Sequence, residues 1–417
     1  MQFQLNRKVI LASAIALASQ VSFVQAAGYG INEQSASYLG TGFAGRASNA
    51  IDASISSSNP AAISFVEGTQ VSVGADVILE GGNFDNGSYA SNPSAAKSTD
   101  DFQKTAFVPF GYFVMPVDEK WSFGLAGYAP YGIELDYEDD WMGASFGDKT
   151  SVQVINLQGT ASYKFTDDFS VGFGLIGSHV KGELTSRPFS PASDVKATIE
   201  GDDNTVAWNL GALWNVSEQT ALGLAYHSKL DFSLKGDFAV GEMPSSPVKL
   251  DITMPEKLML SGTHKLDERW TVMADVTWTR WSRFEEFNVV SSSTGNSVNY
   301  VPMNWEDTWA LSLGTSYQLN DQWLLRAGYM FDESPVNNEN RTVRSPDANR
   351  NWFTFGANLK LAENMNVDFA YAYVKLQDGT IEEYKHSNPS SGPSGNPITG
   401  TYSSSSHILG AQLNYMF

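Results

Sequence analysis

The feature that most constrains this chain is a series of fourteen alternating segments whose connections are short and long in turn. Six of the thirteen connections have two or three residues, and the other seven are long and rich in Ser, Gly, Asn, Asp and Pro. Within a segment, apolar and polar residues alternate with the period of two that a β-strand requires. The segments are 68–80, 103–116, 120–131, 150–165, 168–182, 204–216, 219–234, 251–266, 269–281, 304–319, 322–332, 351–361, 364–376 and 405–417.

An up-and-down barrel explains this order, because its odd-numbered connections lie at one rim and its even-numbered ones at the other. Outer-membrane barrels keep short turns on the periplasmic side and long loops outside. A soluble sandwich also alternates, so the connections carry the prediction. We therefore predict an all-β fold: a transmembrane antiparallel β-barrel of 14 strands over residues 68–417. Trp121, Trp270, Trp305, Trp323, Phe169 and Tyr163 lie near predicted strand ends, where aromatic girdles belong.

Both ends of the chain fit export to an outer membrane. Arg7 and Lys8 precede an apolar run from Val9 to Ala18, which is too short to span a bilayer as a helix. Val24-Gln25-Ala26 is typical of a cleavage site, so residues 1–26 are predicted to be a signal peptide. The last strand places Leu409, Ala411, Leu413, Tyr415 and the terminal Phe417 on one face. An alternating final strand that ends in Phe is typical of bacterial outer-membrane barrels.

Residues 27–67 do not alternate and are small and polar. A barrel of fourteen strands has a lumen wide enough to need filling, and 41 residues are too few for a core of their own. We predict that this segment is a hatch that plugs the lumen, its small residues allowing close backbone contact with the wall.

Several short motifs are distributed in order along the whole chain. They include Gly28-Tyr29-Gly30-Ile31-Asn32-Glu33-Gln34-Ser35, the Asn59-Pro60-Ala61 turn, Ala129-Pro130-Tyr131-Gly132, Tyr226-His227-Ser228-Lys229, Asp307-Thr308-Trp309 and Ser345-Pro346-Asp347-Ala348-Asn349-Arg350. Together they resemble the motifs of the FadL family, the long-chain fatty acid transporters of Gram-negative outer membranes. The resemblance implies a monomeric, 14-stranded barrel with a hatch.

The resemblance also implies a passive route for a hydrophobic ligand. Pro130 lacks a ladder N–H and, with Gly127 and Gly132 nearby, predicts either a kink in its strand or simply the strand's end. In the family a kink here opens a lateral exit. Gly28, Tyr29, Asn59, Pro60 and Ala61 are the corresponding candidates for hatch gating, although Asn-Pro also favours a plain tight turn.

A fatty acid carboxylate would need Arg or Lys in a desolvated place. Parity points Arg326 into the lumen, and Arg341, Arg344 and Arg350 lie in or beside one long outer loop, which gives four candidates. Asp275 and Asp368 are available to pair with lumen cations, and loop arginines could instead contact lipopolysaccharide. The expected basic residue after Trp141 is absent. If that cation holds a carboxylate in relatives, this chain uses another or prefers a different ligand.

Composition argues against several other kinds of chemistry. The net charge of −20 argues against nucleic acid. Without Cys there is no thiolate metal site or Cys nucleophile, and the five His residues show no metal spacing. We expect no cofactor, no metal and no enzyme activity.

The expected partners are a long-chain fatty acid or similar ligand, membrane lipid and lipopolysaccharide. The alternatives are a channel for aromatic hydrocarbons or other uncharged apolar molecules, a general porin, and a surface lipase.

Overall fold

The computed structural model describes residues 28–91, 98–190 and 193–417, so the predicted signal peptide lies outside the described residues. These ranges contain one helix, α1 (Ala36–Leu39), and 3-10 turns at Ala53–Ser57, Pro60–Phe65 and Trp281–Arg283. Nowhere in them is a helix long and apolar enough to cross a membrane. The strands are β1 (Gln70–Ser88), β2 (Thr99–Asp100), β3 (Ala106–Pro116), β4 (Trp121–Asp136), β5 (Lys149–Thr166), β6 (Phe169–Ser186), β7 (Ala197–Asn215), β8 (Thr220–His227), β9 (Leu230–Val240), β10 (Ser246–Met254), β11 (Lys257–Lys265), β12 (Trp270–Thr279), β13 (Glu286–Ser291), β14 (Ser297–Pro302), β15 (Thr308–Gln318), β16 (Trp323–Asp332), β17 (Arg350–Ala362), β18 (Met365–Leu376), β19 (Gly379–Lys385) and β20 (Ser394–Met416).

The strands form one closed antiparallel barrel. β1 pairs with β3 on one side and with β20 on the other, from Gln70↔Met416 upward, which joins the first strand to the last. Closure leaves no lipid-facing sheet edge. Several strands continue one another along the wall, namely β2 with β3, β8 with β9, β10 with β11, β12 with β13, β14 with β15 and β18 with β19. The wall therefore has fourteen strands, which confirms the predicted count.

The two faces of the wall differ as the alternation predicts. Outward side chains are apolar and exposed, among them Leu157 (62%) and Leu313 (65%). Their neighbours Gln158 and Ser312 point inward and are buried. An apolar exterior and a polar interior are the arrangement that a bilayer requires of a barrel.

Three sequence predictions are wrong in detail. Much of the predicted long loops is strand, because β1 runs on to Ser88 and β20 begins at Ser394. The predicted strands 219–234 and 251–266 are each interrupted, at Ser228-Lys229 and at Pro255-Glu256. Trp305 is not in an interfacial girdle, since it lies outside the strands and is 3% exposed, with its ring centroid 5.1 Å from that of Tyr29.

Residues 28–67 lie against the inner face of the wall. Their backbone passes directly over wall glycines, where a Cβ would come within 3.0 Å of the segment's atoms, at Gly172, Gly211, Gly223, Gly314, Gly328 and Gly356. Hydrogen bonds add to this contact, including Ser48 to Thr263 at 2.7 Å and Ser64 to Ser162 at 2.7 Å. Wall glycines thus allow the close backbone approach. That the segment opens and closes a passage stays a prediction.

Candidate functional site

β4 has a bulge at the position that Pro130 marks. Tyr128 pairs with Asn156 and Tyr131 with Val154, so Ala129 and Pro130 together stand opposite Ile155 alone. Proline has no N–H for the ladder, and two residues facing one bend a strand. The bulge therefore follows from the local sequence.

Above the bulge β4 leaves its neighbour β3. The two strands pair only from Pro116↔Ser122 to Gly111↔Gly127. Beyond Gly127, β4 bonds instead to the N-terminal segment: the Gly132 amide donates to the Tyr29 carbonyl at 2.8 Å, and the Ile31 amide to the Pro130 carbonyl at 2.9 Å. Gly127, Pro130 and Gly132 thus border a gap between β3 and β4. Its use as a lateral exit stays a prediction.

A cavity of about 110 Å³ lies in the lumen between the N-terminal segment and the wall. It reaches from the bulge of β4 to β8 and β11 on the other side. Apolar and aromatic groups line much of it, including Ile31, Phe43, Tyr38, Tyr131, Ala207, Leu230, Met259 and Trp281. Such a space suits part of an apolar ligand with a few polar contacts.

Lys257 brings a positive charge to this cavity. It is the first residue of β11, directly after the interruption at Pro255-Glu256. Its Nζ lies 4.8 Å from the centroid of the Tyr131 ring. Within the described ranges, this ammonium has no hydrogen bond and no ion pair. It is therefore free to bind an anion.

The other charged groups of the cavity differ from Lys257. Arg46 of the N-terminal segment lies 3.5 Å from Asp275 and donates to Thr277 at 2.7 Å. Asp332 also lines the cavity, and one of its carboxylate oxygens is buried with no hydrogen-bond partner among the described residues. Arg46 thus has an ion-pair partner, whereas, in the part of the chain that the structure describes, Lys257 has only the longer-range attraction of Asp332.

None of the four predicted arginines lines this cavity. Arg326 points inward as parity predicts but forms an ion pair with Asp368. Arg341 donates to the Asp347 carbonyl at 2.8 Å, and Arg344 to the Thr185 carbonyl at 2.7 Å. The loop that carries Arg341 and Arg344 folds inward and buries both (4% and 7% exposed), so they do not reach lipopolysaccharide.

The loop before Arg350 contacts two of the predicted hatch residues, Gly28 and Tyr29. Arg350 forms an ion pair with Asp347, whose other oxygen accepts from the Gly28 amide at 2.7 Å. The Tyr29 hydroxyl is 2.8 Å from the Ser345 hydroxyl. The inward loop therefore holds the start of the N-terminal segment in place.

Asn59, Pro60 and Ala61 form a tight turn against the wall. The Asn59 side chain accepts from the Ala61 amide at 3.0 Å and donates to the carbonyls of Ala47 at 2.7 Å and Ala212 at 3.1 Å. One side chain thus caps the following 3-10 turn and ties it to β7.

Glu33 is a buried acid in the N-terminal segment. It is 2% exposed, and its carboxylate accepts from the Asn32 amide at 2.9 Å. Burial raises the pKa of Glu33 to about 7, against an ordinary value of 4.5. Its protonation therefore changes near neutral pH.

A second, more apolar cavity lies nearer the outer rim. It is lined by residues of five long strands and β13, namely Val152, Gly182, Leu184, Ile199, Leu234, Val248, Leu250, Ile252, Phe287 and Val289. Both cavities therefore offer apolar surface along the lumen.

Sequence reasoning missed Lys257. Parity within a continuous strand 251–266 gives no reason to single it out. Pro255 was the available signal, because proline inside a strand pattern marks an edge or an irregularity.

In the described part of the chain, no group of three or more His, Asp or Glu residues is placed to hold a metal ion.

Comparisons with known proteins agree with this architecture. The family model described as "Outer membrane protein transport protein (OMPP1/FadL/TodX)" matches residues 15–417. The chain is 27% identical to the long-chain fatty acid transport protein of Escherichia coli K12, over 100% of both chains. The fold is similar to the crystal structure of a Pseudomonas aeruginosa FadL homologue, with a TM-score of 0.84 and 22% identity over 94% of this chain and 100% of that one. It is also similar to the Ralstonia pickettii toluene transporter TbuX, with a TM-score of 0.66 and 19% identity over 90% and 97%.

A family match over nearly the whole chain, on a closed barrel of fourteen strands, shows that this protein belongs to the OMPP1/FadL/TodX family of outer-membrane transport proteins.

Proposed function

We propose that this protein carries long-chain fatty acids passively across the outer membrane. The outer apolar cavity captures the ligand, and the lumen cavity holds it. A rearrangement of the N-terminal segment then opens the way to the gap between β3 and β4. The family membership and the name of the Escherichia coli relative support a hydrophobic substrate.

Lys257 is the observation that favours a fatty acid over an uncharged hydrocarbon. A buried charge is costly when it has no partner. Toluene would leave the ammonium unpaired, whereas a carboxylate would form a charge-assisted hydrogen bond with it. Lys257 therefore supplies the cation that is missing after Trp141.

The lateral route follows from the chemistry of an acyl chain. Each CH₂ buried away from water is worth about 0.8 kcal/mol, so a long chain does not readily enter an aqueous pore. The gap beside Gly127 and Pro130 offers a way from the lumen to the bilayer without that cost. The upper part of β4 is held at this gap by Tyr29 and Ile31 of the N-terminal segment. A shift of that segment would therefore change the gap directly.

The N-terminal segment is proposed to act as the hatch. Its contacts with the wall are mostly backbone packing on glycines and hydrogen bonds from small side chains. These glycine and hydrogen-bond contacts can be exchanged by small shifts, whereas Phe43 is also held by packing on Trp352, with ring centroids 5.8 Å apart. The turn at Asn59 and Pro60 fixes one end of the segment's path, and Gly28 and Tyr29 fix the other.

Binding of matched ligands to the Lys257→Met variant tests this proposal. Methionine keeps the approximate volume and removes the charge. A hydrogen bond to a charged group contributes about 1.5–3 kcal/mol, so the Kd for oleate should rise about 10- to 150-fold. Methyl oleate and toluene should bind as before, and Lys257→Arg should retain most of the oleate affinity.

Three results would contradict the proposal. If oleate binds the Lys257→Met variant as tightly as the original protein, Lys257 does not hold the carboxylate. If toluene binds the original protein more tightly than oleate does, the aromatic-hydrocarbon channel is the better assignment. Large steady ion currents in planar bilayers would instead favour a porin.

A further inference from the structure

The barrel wall has another place where neighbouring strands do not pair. β7 pairs with β6 along its whole length. On its other side it pairs with β8 from Asn215↔Ala221 to Asn209↔His227, and with β9 from Asp202↔Lys235 to Ala197↔Val240. Between these ladders, residues 203–208 and 229–234 have no ladder with each other; we call this stretch the β7/β9 seam.

The seam follows from two interruptions at the same height. The register of β7 shifts by one residue between β8 and β9, because Ser228 and Lys229 interrupt the adjacent wall strand. The next wall strand is interrupted at Pro255 and Glu256, beside the first break, since Lys257 pairs with His227 and Met254 with Leu230. Proline at the second break cannot donate to a ladder. Both strands are therefore interrupted together, and the strand formed by β8 and β9 separates from β7.

Few hydrogen bonds cross the seam. The Ser233 amide donates to the Asp203 carboxylate at 2.7 Å, and the Ser228 amide donates to the Trp208 carbonyl at 2.9 Å. The Trp208 amide donates to the Ser228 hydroxyl at 3.0 Å. An intact antiparallel ladder would provide about one backbone bond per residue over the same stretch. Within the described residues, the seam is therefore held by fewer hydrogen bonds than an intact ladder of the same length would have.

The inner side of the seam borders the lumen cavity. Ala207 lies on one edge and Leu230 on the other, and both line the cavity with Ser228. Lys257 follows at the lower end, paired with His227. A ligand held by Lys257 would therefore lie next to the seam.

The outer side of the seam lies at the level of a membrane interface. Val206 is 69% exposed, and the rings of Trp208 and Tyr226 pack 5.3 Å apart at the lower end. At the upper end the outward side chains become charged, with Asp202 opposite Lys235. Aromatic residues below and charged residues above mark the boundary between hydrocarbon and headgroups. Unpaired backbone at such a depth is tolerated where it lines a cavity.

We propose that the β7/β9 seam is a second lateral passage, which exchanges single-chain amphiphiles between the lumen cavity and the outer leaflet. It is separated from the gap at β4 by β5 and β6. An amphiphile in the outer leaflet has its charged head at the level of Lys229 and Asp231 and its chain below them, at the level of the outward side chain of Leu210. Sideways movement then brings the head to Lys257 without a step into water. This inference rests on the proposed function, because it takes the same class of ligand.

A cross-link across the seam tests the inference, and the absence of natural cysteines makes the experiment clean. Continuing the Asp202↔Lys235 register places Val206 opposite Asp231. The test protein carries Val206→Cys with Asp231→Cys. The control carries Asp202→Cys with Lys235→Cys across the intact ladder. Each pair is closed with a bis-maleimide after folding, so the untreated protein is its own reference.

The readout is the exchange of an anthroyloxy-labelled stearate between a phospholipid nanodisc and the lumen, followed by energy transfer from tryptophan. Closing the seam should slow both binding and release about twofold or more, with Kd unchanged, because one of two parallel passages is lost. The control cross-link should leave both rates unchanged.

The outcomes separate this inference from the proposed function. Equal rates before and after a verified cross-link at the seam would overturn the second passage. A change in only one of the two rates, and therefore in Kd, would also overturn it, since the seam would then shape the site and not the path. If the labelled stearate does not bind the untreated protein at all, the proposed function itself fails.

Discussion

Replacing Gly328 by alanine tests whether wall glycines seat the N-terminal segment. Gly328 lies in β16 and pairs with Gly314 across the ladder. A Cβ at this position would come within 3.0 Å of the backbone of Thr41 and Gly42. Gly42 has a φ of +63°, so the segment is held there in a conformation that leaves little freedom to adjust. The methyl group would therefore push the segment away from the wall.

The expected change in the free energy of unfolding is the sum of two opposing effects. Overpacking a filled site costs about 1–3 kcal/mol. Alanine in place of glycine within a strand returns about 0.5–1 kcal/mol. Gly159→Ala is the matched control, because no atom lies within 4 Å of a Cβ there and only the favourable effect remains. The two variants should therefore differ by about 1–3 kcal/mol in the free energy of unfolding.

Urea unfolding of the barrel in lipid vesicles measures this difference in the free energy of unfolding. Planar-bilayer conductance shows whether the N-terminal segment still blocks the lumen to ions. Gly328→Ala should lower the free energy of unfolding and raise the basal conductance, whereas Gly159→Ala should do neither. Equal stability and equal conductance in the two variants would refute the idea that the segment packs on glycines.

Three further results are expected. The folded-state pKa of Glu33, about 7, lies above its ordinary value of 4.5, so its contribution to stability is complete below pH 4.5 and is lost as the pH rises through 7. The loss in the free energy of unfolding is about 3 kcal/mol at most. Glu33→Gln should flatten that part of the pH profile of urea unfolding. Arg326→Met leaves Asp368 buried without its cation and should cost about 3–5 kcal/mol. Oleate affinity should stay unchanged because Arg326 does not line the cavity; a large loss of affinity would show that Arg326 is a ligand residue. Asn59→Ala removes a cap and two buried hydrogen bonds and should lower stability by about 2–4 kcal/mol, as thermal unfolding in detergent can measure.

The strand count and the assignment of rims could be predicted because both depend on local chemistry. A strand between lipid and lumen must alternate, and barrel closure requires connections that change rim at every step. The bulge at Pro130 was predictable for the same reason, since proline lacks a ladder donor in any context. Trp305 shows where this reasoning ends: an apolar residue in an alternating pattern looks the same whether it meets lipid or packs on Tyr29.

Ion-pair partners and strand register depend on residues far apart in the sequence. Arg326 finds Asp368 on a different strand, and Arg350 is occupied by Asp347 because the intervening loop folds inward. Lys257 became a candidate only once its surroundings were known, because a free cation is one without a hydrogen-bond or ion-pair partner. The β7/β9 seam likewise arises from two breaks that lie side by side only in the closed wall.

The amino-acid sequence by itself determined that this chain makes a fourteen-stranded barrel with a small-residue segment ahead of it. The period of the apolar–polar alternation and the length of each connection can both be read directly from the sequence. Only the tertiary structure decided which charges remain free and where the wall is unpaired. Those properties belong to pairs of strands brought together by closure, and no single strand contains them.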